Sequence, residues 1–161
     1  MKVIGTTSSL VKQHQAIELG AIACFNYKKP NFIHKIKDLT QGKGVDYVLD
    51  TVGGEAVRQG LSCLANGGTL ASLGIVLDTK FCLDAIDFLT QEQHLIGVNF
   101  GKHTPIQRYK IFLQLSDLIK NQKLNVKIDR TFFLTQAAEA HSYVEEKKGD
   151  RFGKVVLLND E

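Results

Sequence analysis

Apolar residues recur along this chain in two alternating rhythms. The short runs Lys2–Thr6, Ile22–Asn26, Val45–Asp50, Thr69–Leu73, His94–Phe100, Ile128–Phe133 and Lys154–Leu158 have the length and composition of buried strands. Between them the apolar residues fall three and four apart, which is the spacing of one helix face. Ser9–Leu19 is the first such segment, with Ser8 or Ser9 as N-cap and Gly20 just past the end. Pro30-Asn31 opens the next; Phe32, Ile33, Ile36 and Leu39 share a face, and Gly42 closes it. Val57, Gly60, Leu61 and Leu64 mark a helix after Gly53-Gly54, residues 83–92 form a short one, and Gln136 to about Lys147 the last. Pro105 opens the longest helix, in which Tyr109, Phe112, Leu113, Leu118 and Ile119 are expected to form a buried stripe.

Strand and helix in alternation predict βαβ units, hence an α/β fold with a doubly wound, mostly parallel sheet and helices on both faces. There is no internal repeat, low-complexity tract or linker, so residues 1–161 read as a single domain. At 43% hydrophobic and 23% charged residues, the chain is too apolar for disorder. No apolar run reaches the ~18 residues of a membrane span and no leader pattern is visible, so no membrane association and a cytoplasmic location are expected. A formal net charge of +3 suits a phosphate and not a nucleic-acid groove. Cys24, Cys63 and Cys82 are too widely spaced for a disulfide framework or a zinc site.

In an open parallel sheet, ligands lie beyond the carboxyl ends of the strands. Here those ends read Thr6-Thr7-Ser8-Ser9, Asp50-Thr51-Val52-Gly53-Gly54, Leu73-Gly74-Ile75 and Val98-Asn99-Phe100. Glycine at such an end lets the backbone approach a ligand, although strand-to-helix turns need glycine in any case. The chain has no G-x-G-x-x-G, no Walker motif, no H-E-x-x-H and no G-x-S-x-G. His14, His34 and His141 fall within predicted helices and read as ordinary helix residues.

The run Val3–Ser9, then Lys12, Glu18–Ala21 and Asn26-Tyr27, resembles the medium-chain dehydrogenase/reductase family. Gly44–Gly54, Gly67–Gly74 and the ending Ala137 to Val156 match it as well, in the same order. The nearest branch is the quinone oxidoreductases and zinc-binding-dehydrogenase-like reductases. The resemblance implies a Rossmann-type cofactor domain that is incomplete. The family's catalytic domain, the first Rossmann strand and its glycine-rich phosphate loop all precede the position matching Met1. A central strand would then be missing between Lys2–Thr6 and Val45–Asp50. Those two strands are expected either to pair directly or to receive a strand from this chain or a neighbour.

The resemblance also implies a cofactor, NADPH, bound weakly or not at all by this portion alone. NAD-specific relatives end the second strand with an acidic residue, whereas this chain has hydroxyls there. Ser8, Lys12 and Tyr27 match the residues that hold the 2′-phosphate in NADPH-dependent members. Thr51, Val52 and Gly53 match positions near the adenine or the middle of the dinucleotide. Leu73, Gly74, Ile75, Val98, Asn99 and Phe100 match positions near the nicotinamide, and Lys154 a cofactor-side lysine. No catalytic acid or base and no zinc site are implied here. Hydride transfer to a small quinone or carbonyl acceptor would need the missing domain, and so would binding of that substrate. The family's pairing of the last Rossmann strand implies a homodimer through His94–Phe100. The alternative is a non-catalytic remnant that serves as a dimerising or interaction module.

Overall fold

Ser9 takes an extended backbone (φ −114°, ψ 136°), and its hydroxyl accepts the Lys12 N–H at 3.4 Å, so it starts the first helix as a side-chain cap. Asp84 caps the fourth helix through the Ile86 and Asp87 N–H groups. Thr104 and Gln107 form a capping box ahead of Pro105. These local signals set the helix starts of a computed structural model that describes residues 1–76, 78–146 and 151–159.

The order is β1 (Ile4–Thr7), α1 (Leu10–Glu18), β2 (Ala23–Asn26), α2 (Phe32–Leu39), β3 (Val45–Asp50), α3 (Glu55–Cys63), β4 (Leu64–Ser72), α4 (Ala85–Thr90) and β5 (His94–Gly97). Then follow α5 (Pro105–Lys120), β6 (Ile128–Phe133), α6 (Ala137–Glu145) and β7 (Lys154–Leu158). All strand pairs are parallel: β1 with β2, β3 with β4, β4 with β5, and β6 with β7. The chain divides into two compact units, Lys28–His103 and the combination of Met1–Tyr27 with Thr104–Glu161.

In the unit Lys28–His103, β3, β4 and β5 lie side by side in that order. Val57 and Leu61 of α3 bury against Leu64 and Leu70 of β4, with Val45, Val48, Phe88 and Leu95 packed around them. Leu70 is completely buried. A Cβ at Gly60 would stand 2.7 Å from Leu70 Cδ1 and 3.0 Å from Val48 Cγ1, so the missing side chain lets α3 settle onto the sheet. Tyr47, Leu49 and Ile96 stand exposed, and Leu49, Ala71 and Ile96 form one row across the three strands. Within this unit α3 packs on one face of the sheet.

In the other unit, α1 packs on the β1–β2 pair and α6 on the β6–β7 pair. The Tyr143 hydroxyl of α6 donates to Asp129 Oδ2 at 2.7 Å, and its ring lies 5.8 Å from that of Phe132. The Arg130 guanidinium sits 4.3 Å over the same ring. The stripe expected on α5 is not buried: Tyr109, Phe112, Leu113, Leu118 and Ile119 are all exposed. The helical spacing is right, but no surface among the described residues opposes it.

Three further expectations change. Among the described strands β1 pairs only with β2 and β3 only with β4, so the expected direct pairing of β1 with β3 is not formed. The fourth strand starts at Leu64 instead of Thr69 and passes through Gly67-Gly68, which makes Leu64 a strand residue and not a helical one. The fifth ends at Gly97; Phe100 begins a short 3₁₀ turn, Phe100–Lys102, capped by the Asn99 side chain. The expected end of the last helix at Lys147 lies outside the described residues.

Candidate functional site

The carboxyl ends of β3, β4 and β5 come together because parallel register aligns them: Asp50 opposes Ser72, and Ser72 opposes Gly97. This brings Thr51, Val52, Gly53, Leu73, Gly74, Ile75, Val98, Asn99 and Phe100 to one end of one sheet. The strand exits are hydrogen-bonded in sequence. The Leu73 N–H donates to the Asp50 carbonyl, Val76 N–H to the Val52 carbonyl and Val98 N–H to the Ser72 carbonyl, each at 2.8 Å.

Asp50, marked by the sequence only as part of a strand end and given no role there, organises this end. It is 6% exposed. Its Oδ1 accepts the Val52 N–H at 3.1 Å, both carboxylate oxygens lie within 3.2 Å of the Gly53 nitrogen, and the Ser72 hydroxyl donates to Oδ2 at 2.9 Å. The signal for it was an Asp two and three residues before turn N–H groups, the pattern of a side chain closing its own turn. Ser72 could not have been found this way, since it joins only through strand pairing.

The glycines at this end serve the protein before any ligand. A Cβ at Gly74 would lie 2.0 Å from the Thr51 carbonyl oxygen. At Gly53, with φ +82°, it would lie 2.8 Å from the Gly74 carbonyl oxygen. Here the missing side chains let two loops of the chain touch. What the rim offers outward is side chain. Leu73, Ile75, Val98 and Phe100 are exposed, an apolar set fit to meet a flat ring. Asn99 is engaged locally, its Oδ1 accepting the Gly101 N–H at 2.9 Å.

In the other unit, Ser8, Lys12 and Tyr27 gather at the end of β1. The Tyr27 N–H donates to the Thr7 carbonyl at 3.3 Å, and the Asn26 side-chain amide donates to the Ser8 carbonyl at 3.4 Å. Ser9 is committed to capping α1, which leaves the Ser8 hydroxyl on the exposed surface. Among the described residues, no carboxylate forms an ion pair with Lys12. Lys154 is placed differently: it opens β7 beside Ile128, at the amino end of that strand pair.

A family model described as "Zinc-binding dehydrogenase" matches residues 19–157, and the chain belongs to that family. A probable quinone oxidoreductase of Schizosaccharomyces pombe is 33% identical over 99% of this chain and 48% of its own length. A 2-haloacrylate reductase of Burkholderia sp. is 30% identical over 97% of this chain and 47% of its own. The crystal structure of a 2-haloacrylate reductase superposes with a TM-score of 0.83 at 27% identity, covering 98% of this chain and 49% of that one. An NAD-dependent alcohol dehydrogenase structure gives 0.82 at 28% identity, covering 97% and 43%. The chain spans about half the length of the curated relatives it matches.

The α/β fold with parallel strand pairs is thus that of the family's Rossmann-like cofactor domain. Among the described residues no three His, Cys, Asp or Glu side chains stand close enough to hold a metal ion. No helix among the described residues is long and apolar enough to cross a membrane.

Proposed function

We propose that this chain is the cofactor-binding portion of an NADPH-dependent reductase acting on small quinones, enones or related carbonyl compounds. The observation that carries the choice of cofactor is the end of β1. There the exposed Ser8 hydroxyl and the Lys12 ammonium stand where an NAD enzyme would place a carboxylate. A hydroxyl can donate to a 2′-phosphate and an ammonium supplies a point charge, whereas a carboxylate would repel it. The apolar rim formed by Leu73, Ile75, Val98 and Phe100 supports a second contact, with the nicotinamide ring. When bound, the dinucleotide supplies the hydride. The residues of this chain bind and orient it, and none of those named acts as an acid or base. A homodimer through the strand at 94–97 belongs to the same reading.

Calorimetry with NADPH and NADH tests it. NADPH is expected to bind more tightly, and Lys12→Ala to erode the difference by about 1–2 kcal/mol, the scale of one charge-assisted hydrogen bond. Equal affinity for both cofactors in the unaltered protein would refute the assignment of Ser8 and Lys12.

A further inference from the structure

We propose that Asp50 is a positioning residue for the cofactor face, a single buried carboxylate that holds the β3–α3 loop and the β4 exit loop in one arrangement. Every acceptor of Asp50 is turned to this task. Its side chain takes the Val52 and Gly53 N–H groups from one loop and the Ser72 hydroxyl from the neighbouring strand. Its carbonyl takes the Leu73 N–H that starts the second loop. Both loops meet where Gly74 presses against the Thr51 carbonyl, a contact with no room for a side chain.

The physical need is plain. Gly53 has φ +82° and Gly54 φ +58°, so this turn has little intrinsic preference for its shape. The Val52 and Gly53 N–H groups lie in the turn before α3 and donate to the Asp50 carboxylate. Asp50 occupies those turn donors itself. The side chains of Leu73, Ile75, Val98 and Phe100 are left exposed on this rim. Asp50 touches no ligand in this account; it acts through Thr51–Gly53 and Leu73–Ile75.

The inference rests on the reading of this rim as a dinucleotide face, and the test separates the two. Asp50→Ala, Asp50→Asn and Ser72→Ala are compared with the unaltered chain. One readout is amide hydrogen exchange at Val52 and Gly53 without ligand; the other is NADPH affinity by nicotinamide fluorescence. Asp50→Ala should speed exchange of both amides and weaken NADPH by about tenfold, the equivalent of one lost hydrogen bond to a charged acceptor. Asp50→Asn keeps one carbonyl acceptor and should restore most of both, which a role in bulk packing would not require. Should Asp50→Ala fail to fold, Ser72→Ala, which removes a single bond, should still show a smaller loss of the same kind. If exchange and affinity are unchanged in Asp50→Ala, or in Ser72→Ala where Asp50→Ala does not fold, the proposal is overturned. If the unaltered protein binds neither dinucleotide, the cofactor reading falls and the exchange data alone decide whether Asp50 holds the loops.

Discussion

Cys63 and Cys82 carry the same thiol in opposite surroundings. Burial pushes the Cys63 thiol up to about 11, with the Lys37 charge only partly opposing it, while Cys82 is exposed. Burial also raises Cys24. Since the thiolate is the reactive form, alkylation at about pH 8 should modify Cys82 first and Cys63 only on unfolding, as mass spectrometry of timed samples would reveal. Asp129 makes the opposite case. The Tyr143 hydroxyl, then the Phe152 N–H, hold its carboxyl below the ordinary range against the effect of burial, with Arg130 and Arg151 assisting. A carboxyl depressed in the folded state contributes stability above its unfolded value, about pH 4, and loses it as pH falls through the folded value. Tyr143→Phe raises the folded value and should shrink that acid-side loss of stability, measured as a flatter dependence of the unfolding midpoint on pH below about pH 4.

At the scale of elements, α3 packs closely on its sheet. Gly60 faces Leu70 and Val48 at distances that leave no space for a methyl group. Gly60→Ala gains up to about 1 kcal/mol of helix propensity. It costs about 1–3 kcal/mol in overpacking against a fully buried leucine. A net destabilisation of up to about 2 kcal/mol is expected from urea unfolding once the full propensity gain is subtracted. Unchanged stability would mean that α3 can back away from β4. Helix α5 is the counterexample. Its period is that of a core helix, yet its aromatic and aliphatic stripe is exposed. An apolar stripe states what a helix can bury, and a facing surface decides whether it does.

For the molecule as a whole, two outcomes follow from open edges and an open rim. Strand β5 bonds to β4 on one side, and among the described strands none takes its other edge. The sequence His-Leu-Ile-Gly has neither an acidic residue nor a proline to guard that edge, so a symmetric pairing of two copies is expected. Light scattering at tens of micromolar, a range of common weak-dimer affinities, should find a species above the monomer mass. The 161 residues assayed alone with NADPH and small quinones should give no steady turnover. Hydride transfer needs donor and acceptor held together. Among the described residues this rim exposes the apolar side chains of Leu73, Ile75, Val98 and Phe100. Steady loss of nicotinamide absorbance would place the acceptor site within this chain and overturn that account.

The sequence by itself determined the alternation of strand and helix, and it placed β3, β6 and β7 to the residue. Those elements are bounded by local chemistry: a β-branched or aromatic run ends where a turn residue or a cap begins. It also determined which strand ends carry hydroxyls, a lysine or glycines, because those are properties of single positions. Only the tertiary structure decided the rest. Leu64 became a strand residue because β3 pairs with it, at the Val45–Leu64 register. Gly74 proved to be a contact between loops because Thr51 lies against it, 23 positions earlier in the chain. Asp50 emerged as the organiser of the rim because Ser72 reaches its carboxylate across the sheet. Each of these depends on a partner distant in sequence, and pairing across a sheet leaves no local periodicity from which it could be read.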